Sequence, residues 1–146
     1  MYTTYGKVNS FLLSAIPEFR ERYKEEKQKH GKHPKQYMAF AALISMVVPA
    51  LDFDGEPLFL ARAFDAFEEM ARSQDREVVN LLQVGFVQDL VRYPRRLATA
   101  WRRMGDETRK LTTDTARAWN REMNLPAAGR PGENSKAKAK AQAQGR

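Results

Sequence analysis

The chain has 146 residues, 42% of them hydrophobic and 29% charged, which suits one globular domain. It contains no cysteine, and this excludes disulfides, cysteine-based metal sites and thiol catalysis. The formal net charge is +7, a value that would be compatible with nucleic-acid binding. However, residues 127–146 hold five basic side chains and one acidic side chain, so this short segment carries +4 and the rest of the chain only +3.

The N-terminal and apolar segments bear on location. Residues 1–10 lack the charged-then-apolar pattern of a signal peptide. The longest apolar stretch, residues 38–51, is shorter than the roughly 20 residues that a membrane-spanning helix needs. We therefore expect a cytoplasmic protein that makes no contact with a membrane.

Apolar residues recur at three- and four-residue steps along most of the chain, a spacing that predicts helices and no strand. The first helix is expected to follow Thr3 and Thr4, to kink at Pro17 and to end at Gly31. Gly85 lies within a strongly apolar segment, and we expect close helix packing there. The other helices are predicted over residues 35–50, 57–72, 76–91, 94–104 and 106–124.

The predicted fold class is all-α, either a compact bundle or a short stack of about six helices. The second helix is apolar nearly all round, so we expect it to be buried nearly all round. The helical domain is predicted to cover residues 1–126. Residues 127–146 contain no large apolar side chain, and we expect a disordered basic tail.

Two groups of residues suggest a metal site but fall short of one. His30 and His33 lack a third ligand nearby, and the surrounding lysines would repel a cation. Asp52, Asp54 and Gly55 suggest the start of a calcium loop, but a true loop places glutamate at its twelfth position, where this chain has Ala63. We predict no metal, cofactor or catalytic residue, and we do not expect an enzyme.

Charge patterning identifies two distinct surfaces that could bind a partner. In the fifth predicted helix, arginines spaced seven residues apart share a face opposite Leu97 and Trp101. That face could grip phosphates or an acidic protein patch, or it could simply be solvated. The turn after the second helix is acidic. The partner-binding candidates are Arg95, Arg96, Arg102, Arg103, Asp52, Asp54 and Glu56.

Four segments, Phe11–Phe19, Phe64–Ala71, Asp75–Phe86 and Met104–Leu111, resemble in order and rough spacing a bacterial family known as domain of unknown function 7674. The likeness covers about residues 8–119. It implies a compact helical domain without known catalytic residues, and some members look like immunity proteins, which neutralise a co-encoded toxin by binding it. Immunity partners of nuclease toxins are often strongly acidic, and this chain departs from that pattern.

The resemblance therefore implies a non-catalytic protein-binding domain, specifically an immunity protein whose partner is a co-encoded toxin. The alternative is a nucleic-acid-associated accessory protein that uses the basic helix face together with the tail. The oligomeric state is left open.

Overall fold

The fold is entirely helical across residues 3–119, the part of the chain that a computed structural model describes. No strand occurs within these residues, so the predicted all-α class is confirmed. In this same range no helix is both long and apolar enough to cross a membrane. The predicted tail at residues 127–146 and the end of the last predicted helix lie outside the described residues.

Short connections separate the helices. The helices are α1 (Val8–Ala15), α2 (Arg20–His30), α3 (Gln36–Asp52), α4 (Pro57–Ala71), α5 (Arg76–Leu82), α6 (Gln88–Arg92), α7 (Pro94–Trp101) and α8 (Asp106–Ala118). A π-helical segment, Gln83–Val87, joins α5 to α6, and 3-10 turns occupy Tyr5–Lys7 and Pro17–Phe19.

Local signals placed the first breaks correctly. A 3-10 turn beginning at Pro17 separates α1 from α2 because proline offers no N–H to continue the helix, and the predicted kink is confirmed. Gly31 ends α2 in the left-handed region, with φ 72°. The helix predicted over residues 76–91 is present as α5, the π segment and α6 in succession.

Four phenylalanine rings form the centre of the core, where α3, α4 and the π segment meet. The ring centroid of Phe67 lies 5.1 Å from that of Phe64, 5.0 Å from that of Phe86 and 5.9 Å from that of Phe40. Such tilted and edge-on contacts add to the burial free energy of the rings. This cluster fixes how α3 and α4 approach each other.

The close packing predicted at Gly85 is confirmed. A Cβ atom at this position would lie 2.5 Å from Cδ2 of Phe40, closer than side-chain atoms can approach. The glycine therefore lets the ring of Phe40 reach the backbone of the π segment. π-Helical turns are rare, and here one coincides with the close approach of Gly85 to Phe40 of α3.

The second predicted helix, present as α3, is not buried nearly all round, so that prediction is wrong. Tyr37 and Met38 in α3 keep 43% and 44% of their surface exposed. This helix packs against α1, α2, α4, α7 and the π segment, and it leaves a strip of exposed positions that begins at its first turn and includes Ala41 and Pro49. There the Tyr37 hydroxyl accepts a hydrogen bond from Nδ2 of Asn80 at 3.1 Å.

The fifth predicted helix, present as α7, ends earlier than predicted, at Trp101 rather than Met104. The Trp101 carbonyl accepts hydrogen bonds from Nε and Nη2 of Arg109, at 3.1 and 2.9 Å. The backbone N–H of Met104 also donates to this carbonyl, at 3.2 Å, which tightens the final turn. Arg102 and Arg103 consequently lie in a turn and not on the helix.

A distant glutamate stabilises the start of α8. Oε2 of Glu68 accepts from the Glu107 N–H at 2.9 Å, and Oε1 accepts from the Thr108 N–H at 3.0 Å and its hydroxyl at 2.8 Å. A negative charge is favoured at a helix N-terminus, where the N–H groups have no partners within the helix. Glu68 thereby fastens α4 to α8.

Candidate functional site

The two surfaces predicted to be distinct meet at one ion pair between Arg96 and Asp52. Nε of Arg96 in α7 donates to Oδ1 of Asp52 at 3.0 Å, and Nη2 donates to Oδ2 at 2.9 Å. Nη1 of the same guanidinium donates to Oδ2 of Asp89 at 3.1 Å. Because Asp52 is the last residue of α3, this pair fixes the start of the acidic turn against α7.

The ion pair shifts the pKa of both Asp52 and Arg96. Hydrogen bonds from Arg96 hold the pKa of Asp52 below its ordinary value of 3.8, and partial burial of the carboxylate opposes them. The carboxylates raise the pKa of Arg96 in turn. The guanidinium also lies over the ring of Tyr93, 4.9 Å from its centroid. Arg96 is therefore already occupied by partners within the fold and differs from a free phosphate-binding arginine.

The turn after α3 closes with a Schellman motif. The Gly55 N–H donates to the Ala50 carbonyl at 2.9 Å, and the Asp54 N–H donates to the Leu51 carbonyl at 3.3 Å. The position that glycine usually takes in this motif is held by Asp54, with φ 52°. Glu56 has φ 51° and is likewise left-handed. The turn is thus a defined backbone shape that two non-glycine residues adopt at a conformational cost.

Large apolar side chains are exposed to solvent at this turn. Phe53 is 83% exposed and Leu58 is 62% exposed, the two highest values for large hydrophobic residues in the described range. Ala61, one helical turn beyond Leu58 on α4, is exposed as well. On the other side of the ion pair, Tyr93 is 49% exposed beneath the Arg96 guanidinium. Large contiguous patches of exposed apolar residues are a common feature of interaction sites.

The structure divides the four candidate arginines into different settings. Arg95 and Arg102 are exposed, Arg103 is half-buried, and Arg96 is held by carboxylates. They do not form the single outward face expected from a continuous helix. Of the acidic candidates, Asp54 and Glu56 are exposed, and Asp52 is the partner of Arg96.

Several residues of this site escaped the sequence reasoning. Phe53, Leu58 and Tyr93 were not predicted to be exposed, although an aromatic residue between Asp52 and Asp54 in a predicted turn was a signal for Phe53. Asp89 lies seven residues before Arg96 across a helix break, so periodicity gave no sign of their contact.

The two histidines have partners within the fold. Nε2 of His30 lies 3.4 Å from Oε1 of Glu26, a carboxylate whose pKa is lowered by a hydrogen bond from Arg22. Nδ1 of His33 lies 3.1 Å from the Tyr23 hydroxyl. Across residues 3–119, no group of three or more histidine, aspartate or glutamate side chains is placed to hold a metal ion.

Comparison with known proteins bears on the whole helical region. A family model described as domain of unknown function (DUF7674) matches residues 9–120. The match includes nearly all of α1 and every later helix, so it covers the scaffold and the turn alike. No curated protein and no solved structure matches this chain.

Proposed function

Since the chain belongs to the family described as domain of unknown function (DUF7674), we propose its function from its surface. It is a non-catalytic protein-binding domain, and specifically an immunity protein that neutralises a co-encoded toxin by direct binding. One observation carries the proposal: the ring of Phe53 is 83% exposed on a turn that the Asp52–Arg96 ion pair holds in place.

An exposed ring on a fixed turn suits protein recognition for two reasons. First, large side chains that enter a partner's pocket supply most of the affinity at many interfaces. Second, a turn that is already shaped loses little conformational entropy on binding. The hydrogen bonds of the Schellman motif and the two bonds between Arg96 and Asp52 provide that shape.

The toxin-neutralising role draws its support from the family resemblance. A projecting turn could occlude the active surface of a toxin without any chemistry of its own, which agrees with the absence of a catalytic constellation in the sequence. Bacterial origin and a cytoplasmic location belong to the same proposal, because the toxin would be met inside the cell that makes it.

The direct test is a binding experiment with the product of the neighbouring gene. We expect a stable complex in a pull-down, and rescue of cells that express that product. Phe53→Ser should weaken binding by at least about tenfold, as for a residue that anchors an interface. Met38→Ser is the matched control, because Met38 is an exposed apolar residue about 20 Å away near the other end of α3. No complex together with no rescue would refute the immunity role.

Two exposed arginines support a second candidate function, nucleic-acid association. Arg95 and Arg102 are exposed, and neither forms an ion pair within residues 3–119. A nucleic-acid-associated accessory protein could use them together with the basic residues beyond 126. For this function we expect the protein to shift duplex DNA in a gel, with a binding affinity that falls steeply from about 50 to about 200 mM salt. Arg102→Glu combined with Arg103→Glu should weaken it further, and a flat salt response would reject this function.

A further inference from the structure

One part of the surface combines exposed apolar side chains with exposed carboxylates. It begins in the α3–α4 turn and follows the outer face of α4, where residues 58, 61 and 65 share one side of the helix. All of its members are exposed. We call it the acidic–apolar face, and its members are Phe53, Asp54, Glu56, Leu58, Ala61 and Asp65.

The carboxylates of this face have no cation to balance them. Within residues 3–119, no lysine, arginine or histidine lies within ion-pair distance of Asp54, Glu56 or Asp65. Two arginines near this face are engaged elsewhere. Arg62 of α4 pairs with Glu18 in the 3-10 turn that follows α1, and Arg96 pairs with Asp52 and Asp89. A locally negative face therefore stands on a chain whose net charge is +7.

The negative charge of this face determines which binding partners are favourable. A second copy bound through the same face would bring the Asp54 and Glu56 carboxylates of two chains together, which is unfavourable. The phosphates of nucleic acid or of an anionic lipid surface would be repelled in the same way. A protein that carries positive charge around an apolar pocket meets both features of the face.

We infer that the partner of this domain is a protein with an apolar pocket bordered by lysine or arginine side chains, which receives Phe53 and Leu58. The inference rests on the proposed protein-binding function and specifies its partner. In the complex, the Phe53 ring fills the pocket, and Asp54 and Glu56 accept charge-assisted hydrogen bonds at its rim. Asp65 extends the same attraction along α4.

The test places a photoreactive benzoylphenylalanine at residue 53 of the full chain, expressed in cells of its source organism. The matched control carries the same group at residue 38, which is exposed near the opposite end of α3. A second pair of chains adds Asp54→Asn and Glu56→Gln. Asparagine tolerates a left-handed φ, and glutamine keeps the shape of glutamate, so the turn should persist. A thermal melt of each chain checks that it does.

We expect a protein to cross-link at residue 53 and not at residue 38. The cross-linked peptide, identified by mass spectrometry, should lie beside lysine or arginine residues. The dissociation constant of the purified pair should rise about tenfold or more with Asp54→Asn and Glu56→Gln, and further with Asp54→Lys and Glu56→Lys.

Other results overturn the inference. They are cross-linking that the neutral substitutions leave unchanged, cross-linking to a second copy of this chain or to nucleic acid, and no cross-link at residue 53. The proposed function fails separately. If the neighbouring gene product binds with equal affinity to the neutral variant, the partner chemistry is wrong and the immunity role stands. If it does not bind and a basic-rimmed protein cross-links instead, the immunity role is wrong and the partner chemistry stands.

Discussion

Gly105 leaves the space that the carboxylate of Glu68 needs to reach the start of α8. A Cβ atom at residue 105 would lie 2.5 Å from both Cδ and Oε1 of Glu68. We therefore expect Gly105→Ala to displace the carboxylate from the N–H groups of Glu107 and Thr108. The free energy of unfolding should fall by about 1–2 kcal/mol, the usual cost of losing a helix cap. Urea unfolding followed by circular dichroism measures it.

A double-mutant cycle checks that explanation. Glu68→Ala removes the carboxylate and should cost a similar amount. In the double variant the alanine at 105 has no carboxylate to displace, so the loss should be close to that of Glu68→Ala alone. Additive losses would mean that Gly105 acts by some route other than Glu68.

Gly85 should tolerate a methyl group poorly. Its missing Cβ makes room for the ring of Phe40, and the ring is fully buried in the phenylalanine cluster, so it has little freedom to move. We expect Gly85→Ala to lower the free energy of unfolding by about 1–3 kcal/mol through overpacking. Gly55→Ala is the matched control, since nothing lies within 4 Å of a Cβ there. Equal urea midpoints for the two variants would contradict the close contact.

Asp52 should make stability depend on pH in the acid range. Its pKa in the folded protein lies below the ordinary 3.8, so folding favours the ionised form. The contribution is present above about pH 4 and is lost as the pH falls through the folded pKa. Solvent screening limits the contribution of Asp52 to the free energy of unfolding to about 0.5–1 kcal/mol, because 37% of the Asp52 side chain is exposed.

The measurement compares thermal melts of the wild type and Asp52→Asn from neutral to strongly acid pH. The wild type should be the more stable protein at neutral pH, and the gap should close in acid, where both side chains at residue 52 are uncharged. A gap that stays constant across this range would show that the ion pair with Arg96 is not its source.

Asp54 should be a site where glycine stabilises the fold. Its φ of 52° is one that glycine adopts without steric cost, and aspartate pays about 1 kcal/mol for it. We expect Asp54→Gly to raise the urea midpoint, since the N–H of residue 54 keeps its bond to the Leu51 carbonyl. Asp65→Gly, at an exposed position within α4, should instead lower the free energy of unfolding by about 1 kcal/mol. An unchanged or lower midpoint for Asp54→Gly would argue against strain in the turn.

Local signals in the sequence located the helices, although not the end of α7 or the π segment between α5 and α6. Pro17 and Gly31 break them for reasons confined to one or two residues, and Gly85 indicated a close contact because an interior glycine otherwise weakens a helix. The predicted family is confirmed as well, since its model matches residues 9–120.

The candidate site could be predicted only in part, because it depends on which helices meet. Asp52 and Arg96 are 44 residues apart, and Glu68 reaches Thr108 across 40 residues. Helical periodicity assigns a residue to a face of its own helix and does not identify the helix opposite. The exposure of Phe53 depends on the direction in which its turn projects, which the chain adopts only once α3 and α4 are packed.

The left-handed aspartate in the α3–α4 turn also bears on how this domain would respond to laboratory evolution. A single nucleotide change converts an aspartate codon to a glycine codon, so selection for heat resistance alone has an easy route at residue 54. The same change deletes a carboxylate beside the most exposed ring of the described chain. Libraries ranked only by melting temperature would thus enrich stable folds that have lost a carboxylate of the proposed binding face.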